Sequence, residues 1–221
     1  MTVFSVRRYE PDDRADLHRI AAETAFFGRP VEAFLDDRRL YCDAFYAYYT
    51  DLEGEYGWVA CVEGQVVGFL VGCANSKRQM RRWLCRVLPG VAWRALRGRY
   101  RLGRKTWAFT ARVALSTLRG EFASADLDRY PAHLHINVAA EYRGRGVGRR
   151  LMDAYLEQLR RGGVPGVHLH TTSLNEAACR LYEGAGFRVV DACPTGLWTH
   201  LVDRAVEYRC YALALAPGGD V

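Results

Sequence analysis

Two pairs of histidines are spaced for chemistry: His133 and His135 in "AHLHINVA", and His168 and His170 in "GVHLHTTS". Side chains of an extended segment alternate between faces, so both rings of a pair share one side of a strand. A neutral imidazole near pH 7 can take a proton from an ammonium group. Two H-x-H strands are also a metal-ligand pattern. Between the pairs runs "AEYRGRGVGRRLM", residues 140–152, where glycines alternate with arginines ahead of an amphipathic run. Glycines let the backbone take φ > 0 and approach a ligand closely. The first amides of the helix that follows are unpaired and lie at the positive end of its dipole. Such a turn suits a pyrophosphate, and Arg143, Arg145, Arg149 and Arg150 add charge around it. The plainer alternative is a basic turn that starts a helix and binds nothing.

Two familiar phosphate loops do not fit. A P-loop needs Lys-Ser/Thr after its last glycine, and Arg149-Arg150 stand there. The dinucleotide fingerprint needs G-x-G-x-x-G and a later acid; here the spacing is G-x-G-x-G, and the next strand ends His170-Thr171-Thr172. The spacing from Arg143 to Gly148 is instead R-x-x-G-x-G, and "NEAACRLYEGAGF" from Asn175 to Phe187 is N-x-x-A-x-x-L-Y-x-x-x-G-F. On these two blocks, in this order, the chain resembles the GNAT acetyltransferase superfamily over about residues 1–75 and 126–215. The segments "YPAHLHINV", "GVPGVHLHTTSLN" and "YEGAGFRVV" are also similar to the acetyltransferase-like domain of some O-GlcNAc hexosaminidases and its free-standing bacterial relatives. Some of those domains are thought to have lost cofactor binding, whereas the arginine and glycines of this loop are intact.

The resemblance implies a fold, an activity and a set of roles. The fold is an α/β GNAT fold, a mixed, mostly antiparallel central sheet with helices on both faces. The activity is transfer of acetyl from acetyl-CoA to a primary amine by direct attack in a ternary complex, without a metal. Gly144, Gly146, Val147 and Gly148, with Arg143, Arg145 and Arg149, would hold the cofactor's diphosphate. The backbone of Ile136, Asn137 and Val138 would pair with the pantetheine arm where strands four and five splay apart. Tyr182 falls at the family's tyrosine position, from which its phenol would protonate the leaving thiolate; the alternative is a core tyrosine with a satisfied hydroxyl. Asn175 would cap its helix and reach the arm. His135 and His170, nearest the splay, are the candidate bases, with water-relayed deprotonation as another route and Glu141 as loop surface. Two further readings are an acyl-CoA enzyme using a longer chain and a non-catalytic acetyl-CoA-binding or interaction domain acting through a basic insertion.

The elements that must position these residues are legible in turn. "TVFSVRRYEP" alternates as a strand, and "PDDRADLHRIAAETAFF" opens a helix with Pro and two Asp. After a Gly-Arg-Pro break, "VEAFLDDRRLYCDAFYAYYTDL" reads as a second helix. "GWVACVEG" and "QVVGFLVGCAN" form a hairpin turning at Glu-Gly. Three helical stretches follow, broken at Pro89-Gly90 and between Gly98 and Gly103. "AHLHINVA" is the fourth strand. Next comes the helix "VGRRLMDAYLEQLRRGG", with Leu151, Tyr155 and Leu159 on one face and Val147 and Met152 beside it. A fifth strand, a helix from Asn175 to Gly186 and two final strands complete a single domain over residues 1–221. Residues from Pro217 read as a loose tail.

Half the residues are apolar, enough for a core without disulfides. The seven cysteines are scattered, with no C-x-x-C pair, and most read as core fillers, which fits a reducing compartment. The N-terminus lacks an apolar leader core and no uncharged run reaches about 18 residues, so the expected location is cytoplasmic. The net charge of +6 is uneven: residues 76–120 hold thirteen Lys and Arg and no acid, leaving −7 for the remainder. Residues 76–125 are therefore read as a helical basic insertion between strands three and four. It would serve as a solvated lid or homodimer element, as the frame of an anionic acceptor's pocket, or as a contact for nucleic acid or an anionic membrane. The acceptor amine is not specified by the sequence.

Overall fold

The computed structural model describes residues 3–215; the stretch expected as a loose tail, Pro217–Val221, lies outside them. Strand β1 (Ser5–Arg8) leads to helices α1 (Arg14–Thr24), α2 (Arg38–Phe45) and α3 (Ala47–Asp51). The hairpin β2 (Trp58–Val62) and β3 (Gln65–Cys73) turns at Glu63 and Gly64, both at positive φ. The insertion contains α4 (Ser76–Arg82), α5 (Leu88–Leu96) and α6 (Arg104–Leu118). Then follow β4 (Ala132–Val138), α7 (Val147–Arg161), β5 (Gly166–Thr172), α8 (Glu176–Gly184), β6 (Arg188–Pro194) and β7 (Glu207–Ala214). The seven strands form one sheet in the order β1-β2-β3-β4-β5-β7-β6. Only β4 and β5 pair in parallel; every other neighbour is antiparallel.

Apolar side chains are buried on both faces of the sheet. Leu17 and Ile20 of α1 and Tyr48 and Tyr49 of α3 pack with Phe69 and Val71 on one side. Leu151, Met152, Tyr155 and Leu159 of α7 pack with Leu70, Leu134 and Leu169 on the other. Strand β3 is buried along nearly its whole length, as a central strand covered on both faces must be.

Two local expectations are corrected. The second helix is not continuous from Val31: a short 3-10 turn covers Val31–Ala33, and α2 starts only at Arg38. Two aspartates interrupt it. Asp37 accepts from the amide of Leu40 at 2.9 Å and from that of Arg101 at 2.8 Å, while Asp36 accepts from the amide and hydroxyl of Thr106, each at 2.8 Å. Carboxylates so used offer the backbone an alternative to helix. Tyr46 then separates α2 from α3.

Pro89-Gly90 does not break the insertion; both lie inside α5. Trp83–Val87 forms a π-helical turn, in which the Leu88 amide donates to the Trp83 carbonyl. Widening the turn ahead of Pro89 accommodates a ring that would crowd an α-helical carbonyl. As expected of most of the cysteines, five are buried in the core, while Cys85 is exposed and Cys193 half-exposed. Among the described residues no helix is long and apolar enough to cross a membrane.

Candidate active site

Strand β4 pairs with β3 along six positions, from His133 to Val138, but with β5 only at Ala132–Val167 and His133–His168. Beyond His133 the two parallel strands part. A cleft of about 520 Å³ opens there, lined by Ile136, Asn137 and Val138 of β4, the loop Tyr142–Gly144 and the start of α7. Asn175, Leu181 and Tyr182 close its opposite wall, with Thr24, Phe27 and Gly28 at the end of α1 on a third side.

The loop's geometry follows from its glycines. Gly144 and Gly146 have φ of +73° and +83°, the left-handed region that costs an L-residue with a Cβ about 1–2 kcal/mol. Gly146 is the residue ahead of α7, and no side chain caps that helix. Its first amides are therefore left for the cleft. Gly148 lets α7 and α8 approach, since a Cβ there would lie 3.1 Å from Leu181.

The four arginines do not act alike. Arg143 donates from Nε to the Val138 carbonyl at 3.0 Å and from both terminal nitrogens to the Gly28 carbonyl at 3.4 Å. It thus ties the loop to the end of β4 and to the turn after α1, along the cleft's rim. A Cβ on Gly28, itself at φ +89°, would lie 2.6 Å from that guanidinium. Arg149 lines the cleft but is engaged by Asp153 at 2.9 Å and by the Gly184 carbonyl at 2.6 Å, at the negative end of α8. Arg145 lies over Tyr142 and Arg150 over Phe4, and neither lines the cleft. Arg180, which sequence reasoning passed over, does.

Tyr182 is 6% exposed, and burial raises its phenol above the ordinary value. Its ring packs on Phe187 and Tyr211, and it lines the cleft. Asn175 occupies the residue before α8, but its side chain makes no capping hydrogen bond. Its backbone, at φ −91° and ψ 61°, is not in the extended conformation that aims a side chain at the next amides. The expected side-chain cap is absent, and the residue lines the cleft.

The histidines form a continuous row on the α1–α3 face of the sheet. Ring centroids lie 5.7 Å apart for His133–His135, 5.8 Å for His133–His168 and 5.4 Å for His168–His170. His168 is buried and His133 half-buried; His135 and His170 are open to solvent. Enclosure by surrounding protein lowers the pKa of both His135 and His170 to about 4, with His168 adding to the effect. Each is therefore neutral at pH 7. Among the described residues no group of three or more His, Cys, Asp or Glu is arranged to hold a metal ion.

The hydrogen bonds along this row form one chain that a single set of tautomers satisfies. With the Ser76 hydroxyl donating to the Pro131 carbonyl at 2.8 Å, it accepts from His133 Nδ1 at 2.6 Å. His133 Nε2 then accepts from the Tyr49 hydroxyl at 2.5 Å. Having spent its proton there, Tyr49 accepts from His135 Nε2 at 3.2 Å. His135 is left with its Nδ1 lone pair free. No periodicity signals Tyr49 or Ser76 as partners; only the fold brings α3 and α4 to β4.

An aromatic wall was equally hidden in the sequence. Trp198, between β6 and β7, lies with ring centroids 5.4 Å from Phe26 and Phe27, 5.2 Å from Phe34 and 5.5 Å from Phe109 of α6. Glu121 accepts from the Gly196 amide at 2.7 Å and from the Ser116 hydroxyl at 2.8 Å. The insertion thereby braces the β6–β7 loop against the turn after α1, whose Phe27 lines the cleft.

A mixed sheet opened between two parallel strands, with a glycine-rich helix start facing the opening, defines an acetyltransferase-type α/β domain. Comparison with known proteins agrees. The acetyltransferase (GNAT) family profile matches residues 111–187. The crystal structure of SsHAT superposes with a TM-score of 0.72 at 31% identity, covering 96% of this chain and 98% of that one. YncA from Salmonella typhimurium, solved with its cofactor acetyl-CoA, shares the fold at a TM-score of 0.55 and 17% identity, with 98% and 96% of the two chains covered. Mycothiol acetyltransferase of Nocardiopsis dassonvillei is 48% identical over 56 residues, which are 25% of this chain and only 17% of that enzyme. The chain belongs to the GNAT acetyltransferase family.

Proposed function

We propose that the protein transfers an acetyl group from acetyl-CoA to a primary amine by direct attack in a ternary complex. The observation that carries this is the uncapped start of α7, at left-handed Gly146, opening onto the cleft that runs along the unpaired edge of β4 to Tyr182. Amides of residues 144–148 take the diphosphate, with Arg143 and Arg149 as flanking charge. The backbone of Ile136, Asn137 and Val138 is an unpaired strand edge to which the pantetheine amides add as a further strand.

The acceptor approaches from the histidine face. His135 Nδ1 relays a proton from the acceptor ammonium toward solvent, its lowered pKa releasing that proton at once, and the freed amine attacks the thioester carbonyl carbon. A C–N bond forms and the C–S bond breaks. Tyr182 gives its phenolic proton to the departing sulfur and is re-protonated from the attacking nitrogen. The proton on His135 returns to solvent. A phenol whose pKa is raised carries its proton when the reaction begins, as a general acid must. His170, without the tautomer lock of His135, is the second candidate base.

Thermal shift with CoA and acetyl-CoA tests the binding step: both should raise the melting temperature as ligands of the native state. Thiol release from acetyl-CoA across a panel of amines then separates an enzyme from a non-catalytic binder. Binding without thiol release for any amine would leave the binder reading, and no shift with either ligand would remove both.

A further inference from the structure

Most cations of the insertion are exposed, yet its two longer helices also turn apolar side chains outward. Helix α5 buries Val91 toward the α1–α3 layer, while Trp93 and Leu96 on the opposite side are 57% and 82% exposed. With Pro89 and Ala92, also exposed, these positions follow the 3.6-residue repeat and form one stripe. Helix α6 repeats the pattern. Thr106 and Ser116 are buried and Phe109 packs inward, while Trp107, Leu115 and Leu118 stand 63%, 44% and 85% exposed, with Ala111 and Ala114 between them. Both helices pack on the same layer, α5 through Val91 and α6 through Phe109, and each turns its apolar side away from it. A surface helix ordinarily shows a polar face to water. Here the face that meets solvent is apolar, and the charge lies at its margins.

Those marginal charges are largely uncommitted. Lys77, Arg78, Arg94 and Arg119 have carboxylate partners. Arg81, Arg86, Arg99, Arg101 and Arg104, by contrast, have no ion pair among the described residues. Arg97 lies over the exposed Trp93 ring, 4.5 Å from its centroid. An outer surface of Trp and Leu, bordered by cations, meets two demands at once: burial of apolar area and neutralisation by anions.

We infer that α5 and α6 dock on an anionic lipid surface, with Trp93, Leu96, Trp107 and Leu118 entering the headgroup boundary and the bordering arginines meeting lipid phosphates. Interfacial helices combine these two elements, and tryptophan favours that depth. A second copy fits less well. An isologous contact would set this surface against itself, bringing together two segments that each carry thirteen cations and no acid. Nucleic acid would satisfy the cations but leave Leu96 and Leu118 in water.

The test is flotation of the full chain with vesicles of phosphatidylcholine alone and with about a third phosphatidylglycerol. Binding is expected to the anionic vesicles, with a blue shift of tryptophan fluorescence, and to be weakened by salt. A variant combining Trp93→Ser, Leu96→Ser, Trp107→Ser and Leu118→Ser should bind about tenfold or more weakly while keeping its circular dichroism and melting temperature. Arg99→Glu with Arg101→Glu should weaken binding at low salt only. Absence of anionic-vesicle binding overturns the proposal. So does self-association that the fourfold serine variant abolishes, or salt-dependent DNA binding that it leaves intact while vesicles are ignored. None of these outcomes depends on acetyl transfer.

Discussion

The hydroxyl of Tyr49 lies 3.2 Å from Nε2 of His135 and, with its proton given to His133, accepts there. Tyr49 is thus a positioning residue: it sets which nitrogen of His135 carries the proton. His135→Gln should lower kcat/KM by on the order of 10². Tyr49→Phe should lower it by about tenfold, with the KM for acetyl-CoA unchanged. The double variant should be no worse than His135→Gln alone, because both changes remove one function. Additive losses would place Tyr49 in the scaffold instead.

Tyr182 is expected to act at the leaving sulfur. Tyr182→Phe keeps the ring that packs on Phe187 and Tyr211, so folding and CoA binding should persist. The rate of thiol release should fall by about 10²-fold. An unchanged rate would return Tyr182 to a packing role.

Gly146 should be intolerant for a backbone reason. At φ +83°, with no heavy atom within 4 Å of where a Cβ would stand, the cost of Gly146→Val is conformational and not steric. The strain of about 1–2 kcal/mol corresponds to roughly a tenfold change. It should appear as weaker CoA binding together with a lower melting temperature. Gly28→Ala differs: its Cβ would displace the Arg143 guanidinium, so CoA affinity should fall with little change in α7.

Stability should fall as pH drops. Burial lowers the pKa of His18 to about 4, with Arg14 adding to the effect. His133 and His168 are likewise lowered, chiefly by burial. Between the ordinary value of 6.5 and the folded value, the unfolded chain binds protons that the native chain refuses. The contribution is therefore complete above pH 6.5 and is lost progressively toward pH 4. Melting temperatures measured across that window should decline, and the decline should be shallower in His168→Asn, whose side-chain amide can still donate to the Tyr130 carbonyl, the partner of His168 Nδ1 at 2.8 Å.

Much of the frame was legible from local pattern. Alternation marked the strands, the repeat of Leu151, Tyr155 and Leu159 marked α7, and the glycine spacing marked the turn ahead of it. What was hidden depends on contacts between distant segments. Asp36 and Asp37 end a helical pattern because Thr106 and Arg101 arrive from the insertion to bond them. The lock on His135 needs residues from α3 and the insertion, which no spacing within β4 records. The outward apolar stripes of α5 and α6 look, in sequence, like any core-facing stripe; only packing shows which side is covered.

The central claim is that the amides of residues 144–148 hold the diphosphate of CoA. A crystal structure of the complex measures this directly. The account predicts diphosphate oxygens within hydrogen-bond distance of those amides, with the arm running along Ile136–Val138 toward Tyr182. A diphosphate seated elsewhere, with the start of α7 still open to solvent, would contradict it.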